Sequence, residues 1–356
     1  INLLLQSLFF LSSSLVHGQT TKSTCNGVDG LCGFSVNEIL YGMVHNAMSS
    51  PSHGFSIFPN HENDPIVASL DAGYRGISLD ICRCNGELVF CHGSSLVGCG
   101  VGSRDAVETF QQIDVWLEAN PEDVVVFFLQ VNNDAGGGTA ISLQDVESTL
   151  SDSFKAKMYQ HDSNLPAWPT LGEMVQDCKQ IIFFYTSGPN GNPPLGNPNG
   201  IHFFFEYASQ TLFSHTSVES LQGAPCDVFR SGTQQDFYLF NDFILTSGIA
   251  PSKTAAQTVN TGTFVEPILQ QCETAFNHPV NFVSVDFWKE GDLPDFIATQ
   301  NTGLVAKDSV KAQVTASTDA CRASPPSVSP SAPTLPATDP PSSPSPAPAN
   351  PAPDSS

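Results

Sequence analysis

The sequence predicts an α/β fold whose strands close into a single (β/α) barrel, and three observations carry that expectation. Apolar runs at residues 124–131 and 180–185, polar only at Gln130 and Gln180, have the character of strands buried on both faces. Between such runs lie segments with apolar residues at helical spacing, such as Val107, Phe110, Ile113, Val115, Trp116 and Leu117, and strand after helix implies a parallel sheet. His45, Asp80, His92, Gln130 and Asp286 all fall at C-terminal ends of predicted strands, where such barrels carry their reactive groups.

Residues 19–37 are polar, glycine-rich and bracketed by cysteines, a short cap rather than a domain. The barrel domain is expected over 38–321. Residues 38–44 read as the first strand, and His45-Asn46 end it ahead of a turn-rich stretch, 49–59. A helix is expected over 65–70, with Asp64 as N-cap and Gly73 as stop; a longer one starts at Ser103 and ends at Asn120-Pro121. Shorter helices follow over 143–150 and 170–176, and residues 187–200 form a Gly/Pro/Asn loop long enough to cover a site. Residues 201–207 and 237–243 are strand candidates, the second with a helix start as its alternative, 263–276 a helix, and 279–288 an alternating strand with Asp286 at its top. Gly303-Leu304-Val305-Ala306 closes the set.

Composition narrows compartment and partners. The 356 residues suffice for one large domain, and the formal net charge is −22 with only 13 Lys and Arg. Such a field argues against nucleic acid and against electrostatic capture by anionic membranes. Residues 1–18 have the form of a secretory leader lacking its charged start, with cleavage near Gly18. Residues 322–356 collapse to Pro, Ser and Ala, an extended stalk suited to O-glycosylation or wall attachment. Ten cysteines fit an oxidising compartment, with Cys25–Cys32 and Cys226–Cys272 as the preferred bridges. Cys82, Cys84, Cys91 and Cys99 lack paired C-x-x-C spacing, which weighs against zinc. The chain is expected to be secreted or held at the cell surface or wall, and to act as a monomer.

Residues 75–93 organise the reactive groups. Asn85-Gly86 between β-rich runs signals a hairpin. Side chains alternate with period two, so a three-residue loop over 84–86 sets Ser78 across from His92 and Asp80 across from Phe90, all on one side. A two-residue loop would send Asp80 and His92 to opposite faces, and an odd-length loop is therefore expected. A buried carboxylate beside a histidine shifts both titrations and supplies an acid or base near neutral pH.

Four motifs carry a resemblance by their order and spacing. His45-Asn46, Gly73-Tyr74-Arg75-Gly76-Ile77-Ser78-Leu79-Asp80, Phe90-Cys91-His92-Gly93 and Asn281-Phe282-Val283-Ser284-Val285-Asp286-Phe287 resemble the catalytic X region of phosphatidylinositol-specific phospholipases C. The secreted or surface single-domain proteins of plants and fungi are closest in pattern, sharing Trp168-Pro169-Thr170-Leu171-Gly172-Glu173 as well. The resemblance covers residues 38–306. It implies a distorted TIM barrel of the phospholipase C-like phosphodiesterase type. Its substrate would be a phospholipid or inositol-phosphate diester, met by transient contact with a membrane surface. By position it implies His45 as general base on the attacking hydroxyl, His92 as general acid for the leaving alcohol, and Asp286 as the carboxylate that orients His45. The chemistry asks for the same pair, because a proton leaves one side of phosphorus and arrives on the other, and imidazoles do both near neutral pH.

Charge growing on the phosphoryl oxygens must also be offset, and here the sequence departs from the family. Animal-type members bind Ca2+ through an Asn after the first His and three acids; Asn46 and Asp80 match, whereas Ser78 and Gln130 replace the two glutamates. Metal-free bacterial members carry an arginine where Asp80 stands, which leaves Arg83 and Arg75 as substitutes. Trp288 and Tyr207 are candidates for a headgroup pocket, with core packing as the competing reading. His161-Asp162-Ser163 imitates a bacterial signature but is read as surface loop, and His202 as a core histidine. Two rivals stand beside the phosphodiesterase: a metal-dependent glycerophosphodiesterase, which wants an acid at position 78, and a catalytically inactive surface protein that binds lipid or glycan.

Overall fold

The computed structural model describes residues 21–63, 66–92, 99–131, 141–162, 167–187, 198–319 and 321. The leader, the tail over 322–356, Asp64, Pro65, Gly93, Ser163, the polar residues 132–134 and the loop residues 188–197 lie outside them.

Eight strands form the barrel: β1 (Tyr41–Val44), β2 (Gly76–Cys84), β3 (Val125–Val131), β4 (Ile181–Ser187), β5 (Ile201–Phe203), β6 (Ala208–Thr211), β7 (Phe237–Asn241) and β8 (Phe282–Val285). They run in the order β5-β4-β3-β2-β1-β8-β7-β6, and every neighbouring pair is parallel. β5 and β6 do not pair, so the ring is open between them. Only the helical turn Phe204–Tyr207 joins these two strands, and a parallel crossover needs about a dozen residues or more. The free edge of β6 instead takes a short antiparallel strand, Val228–Arg230.

The apolar runs become β3 and β4, and their outward faces meet helices. Phe127 and Phe183 stack at 5.7 Å, with Phe110 of the helix Ala106–Ala119 and Phe154 of the helix Asp152–Lys157 against them. Asp105, not Ser103, caps the first of these helices. Thr170 and Glu173 form a reciprocal capping box that starts the helix Leu171–Gln176. Two further expectations are corrected, and one strand lacks a sequence signal. Residues 204–207 are helix rather than strand. Gly303–Ala306 lies inside the helix Leu293–Lys307. The strand β6 went unrecognised, because its four residues, Ala-Ser-Gln-Thr, carry little apolar signal.

β2 runs past its neighbours into a hairpin with Glu87–Phe90, in the register Ile81↔Phe90 through Cys84↔Glu87. The turn is therefore two residues, Asn85 and Gly86, and not three. Their φ values of 53° and 91° are both left-handed, as a type I′ turn demands and Asn-Gly supplies. All ten cysteines pair: Cys25–Cys32, Cys82–Cys91, Cys84–Cys99, Cys178–Cys321 and Cys226–Cys272.

Candidate active site

Parallel register decides which side chains share the barrel mouth. Asp80 pairs with Gln130 and Gln130 with Thr186, while Asn241 pairs with Ser284 and Ser284 with Met43. These two rows line a cavity of about 470 Å³ at the C-terminal ends of the strands. His45, Asn46 and His92 border the same cavity.

His45 leaves β1 pinned on both sides. Its N–H donates to Val285 O at 3.0 Å, and the Ala47 N–H donates to Ser78 O at 2.9 Å. Asn46 between them turns left-handed, with φ of 48°, a conformation Asn tolerates better than most residues. Phe287, directly after Asp286, is left-handed too, at 47°. A bulky residue stays in that region only where its surroundings hold it; here its N–H donates to Asn60 O at 2.8 Å and its carbonyl accepts from Asn260 Nδ2. Strained backbone thus follows each half of the same pair.

That pair is His45 Nδ1 and Asp286 Oδ1, 2.9 Å apart. A carboxylate only accepts, so Nδ1 carries the proton and Nε2 of the neutral ring keeps its lone pair. Asp286 is buried and also accepts from Asn60 Nδ2 at 2.7 Å. Phe243 stacks on the imidazole at 4.0 Å between centroids, and His61 Nε2 donates to the His45 carbonyl at 2.6 Å. Two contacts fix the ring and a third holds its backbone.

His92 arrives from the hairpin by a route that alternation alone does not foresee. Strand pairing ends at Phe90; the Cys91 N–H donates to Asp80 O at 3.0 Å, the Cys82–Cys91 disulfide ties the end down, and the chain bends. His92 therefore reaches the cavity that Asp80 lines in spite of the even turn. Asn46 Nδ2 lies 3.2 Å from His92 Nε2 and links the two histidines. Burial, the largest influence, holds the His92 pKa below its ordinary value; Asp80 opposes this, and His45 adds to it. A base on one side and an imidazole acid on the other can serve one substrate held between them.

With this geometry in view, residues 43–302 match the family model of the PI-PLC X domain. The chain belongs to the PI-PLC X family. It is 26% identical over 293 residues to a protein of Arthroderma benhamiae described as an uncharacterized secreted protein, covering 77% of this chain and 62% of that one. To PI-PLC X domain-containing protein 1 of the same fungus it is 27% identical, covering 78% of this chain and 89% of that one. Among solved structures, a phosphatidylinositol-specific phospholipase C of Staphylococcus aureus superposes with a TM-score of 0.50 at 14% identity, over 75% of this chain and 94% of that one. That likeness speaks for the fold: a TIM-like phospholipase C barrel.

Several residues singled out in the sequence lie away from this X domain's cavity. Arg75 pairs with Asp123 at 3.2 Å, donates to the Leu70 and Tyr74 carbonyls and packs over Trp116, at the base of β2. Arg83 pairs with Asp145 at 3.1 Å and donates to Gly86 O. Tyr207 is fully buried in an aromatic cluster with Trp168, His161 and Phe184. Trp288 packs edge-on against Tyr74 and accepts from its hydroxyl through the backbone carbonyl. His161 is buried rather than surface, stacked on Trp168 at 4.1 Å, and its backbone N–H donates to His202 Nε2, which makes His202 the core histidine expected.

The Ca2+ expectation for Asn46 and Asp80 meets a poor donor set. Among the described residues, Asp80 has the neutral Ser78 and Gln130 as its neighbours on the cavity wall, and the Asn46 amide is turned to His92. Ca2+ takes six to eight oxygens and draws its affinity from carboxylate charge; these residues do not fit it. The cluster Cys82, Cys84 and Cys99 is no metal site either, since each sulfur is spent in a disulfide.

Three groups of the site carry little signal in the sequence: Asn60, just past the turn-rich stretch 49–59; Phe243; and Arg230. Arg230 lines the cavity with its guanidinium over Phe205 at 4.1 Å and Phe203 at 5.6 Å. Beside it the rim is apolar, with Phe213 and Phe229 edge to face at 4.8 Å and Ile249 64% exposed.

Proposed function

We propose that this chain is an extracellular phosphodiesterase that cleaves a phosphoinositide or a related glycerophospholipid diester by acid–base catalysis on two histidines. One observation carries the reading: His45 and His92 border a single cavity, and the first is backed by Asp286 at 2.9 Å. In this reading His45 Nε2 takes the proton of the attacking hydroxyl, and Asp286 stabilises the imidazolium that forms. His92 delivers a proton to the departing glycerol oxygen. Burial lowers the His92 pKa in the resting site, and the negative diester, once bound, favours its protonated form. Attack by a neighbouring hydroxyl of the headgroup forms one P–O bond as the other breaks and leaves a cyclic phosphate.

Membrane contact fits the same reading through apolar rather than charged groups. Phe229, 47% exposed, and Ile249 stand at the cavity rim, while a formal charge of −22 repels anionic lipid. The secreted relative and the five disulfides support a place outside the cell.

The test is turnover of headgroup-labelled phosphatidylinositol in mixed micelles by His45→Ala and His92→Ala. Each change is expected to lower kcat by roughly 10² to 10⁴ with circular dichroism unaltered. Retained turnover in either variant would overturn the assignment of that residue.

A further inference from the structure

We infer that Arg230 is the cation that holds the substrate's phosphate oxygens, in a subsite created by the opening of the barrel between β5 and β6. The inference rests on the phosphodiesterase reading for the identity of its ligand, a phosphate ester anion. A diester carries one negative charge, more gathers on its oxygens in the transition state, and a fixed positive group there acts most strongly in a partly dry site.

The other arginines described are already committed. Arg75 pairs with Asp123, Arg83 with Asp145, and Arg104 donates to Thr109 and Gln112. Arg230 differs: among the described residues it has no carboxylate partner and no hydrogen-bond acceptor, and it is the one Lys or Arg lining the cavity of His45 and His92.

The fold explains how it comes to be there. Because the turn Phe204–Tyr207 is too short to close the ring, the edge of β6 pairs with Val228–Arg230, in the register Gln210↔Arg230. From that edge the side chain spans the gap, laying its guanidinium on Phe205 and near Phe203 at the end of β5. An aromatic platform covers a face of the guanidinium and leaves its in-plane N–H donors for a ligand, the planar fork that suits two phosphate oxygens at once. Arg230 thus supplies the charge that Asp80, Ser78 and Gln130 do not.

The full chain and its Arg230→Gln and Arg230→Lys variants are titrated calorimetrically with myo-inositol 1-phosphate and assayed on labelled phosphatidylinositol, with and without added guanidinium chloride at millimolar concentration. Arg230→Gln is expected to weaken binding roughly ten- to a hundredfold and to lower kcat, with part of the turnover returned by guanidinium. Arg230→Lys, a point charge without the fork, recovers only part of both. Rescue by guanidinium marks a direct role, because a purely structural loss would not respond to it. Binding and turnover of Arg230→Gln within twofold of the parent would overturn the inference while leaving the two-histidine reading intact. An unaltered chain that binds no inositol phosphate would overturn it as well. If no diester is turned over but Arg230→Gln still weakens binding, the subsite stands and the catalytic reading falls.

Discussion

Asp286 Oδ1 sits 2.9 Å from His45 Nδ1 and 2.7 Å from Asn60 Nδ2, so one buried oxygen orients the imidazole and is itself held by an amide 226 residues away in sequence. The oxygen does two things for His45: it fixes the tautomer and it counters the charge formed when Nε2 takes a proton. Asp286→Asn keeps the shape and removes the charge. Turnover of phosphatidylinositol is expected to fall by roughly 10² or more, with KM and the thermal unfolding midpoint little altered. Asn60→Ala, which frees the carboxylate without discharging it, should cost less. A kcat for Asp286→Asn within threefold of the parent would remove Asp286 from the mechanism.

His92 sets the pH behaviour. Its pKa in the folded chain lies below the ordinary 6.5, with burial as the chief cause and Asp80 opposing it. The group that must donate a proton is thus half-spent at a lower pH than a free imidazole, and the alkaline limb of kcat/KM should lie below about 6.5, the usual histidine value. Asp80→Asn removes the opposing negative charge and should move that limb lower still; a limb that stays put would separate Asp80 from His92. Stability runs the other way. A histidine whose folded pKa is depressed leaves the fold at full stability above the unfolded value, and that contribution is lost as pH falls through the folded one.

Some of this was readable in the chain and some was not, for identifiable reasons. Buried strands are largely apolar runs, which makes β3 and β4 legible, while β1 and β8, whose ends carry His45 and Asp286, show as a short strand-like run and an alternating one. Alternation carried through to His92 demands an odd turn, whereas pairing stops at Phe90 and the chain bends. Arg75 and Arg83 drew notice by closeness in sequence to Asp80, yet their partners, Asp123 and Asp145, are chosen by tertiary packing. Arg230 could not be found that way. Its importance arises from the gap between β5 and β6, and the gap from a run of phenylalanines that coils into a helical turn where strand propensity predicted extension.

Calcium can be set against the donor count directly. Among the described residues the cavity wall offers one carboxylate near His92, Asp80, because Asp286 is engaged by His45 and Asn60. A site of that charge would hold Ca2+ no better than the weakest extracellular modules, about 10⁻³ M or poorer. Turnover measured with excess EGTA should therefore match turnover in millimolar calcium to within about twofold. A tenfold loss on chelation would restore Ca2+ to the mechanism and would point to ligands beyond Asp80 and Asn46.

The apolar rim makes a prediction that charge-driven binding would not. Phe213 and Phe229 pack edge to face, at 38% and 47% exposure, and Ile249, 64% exposed, lines the same cavity. Burying such side chains in a lipid interface contributes about 25 cal/mol per Å² of apolar area, so one aromatic is a sizeable share of weak membrane affinity. Phe229→Ser should lower partition onto vesicles of phosphatidylcholine and phosphatidylinositol roughly tenfold, by co-sedimentation. Raising the salt should leave partition of the parent chain unchanged or slightly increased, because screening relieves repulsion between an acidic protein and an anionic surface. Partition that collapses with salt and ignores Phe229 would mean that a local basic surface, and not this rim, meets the membrane.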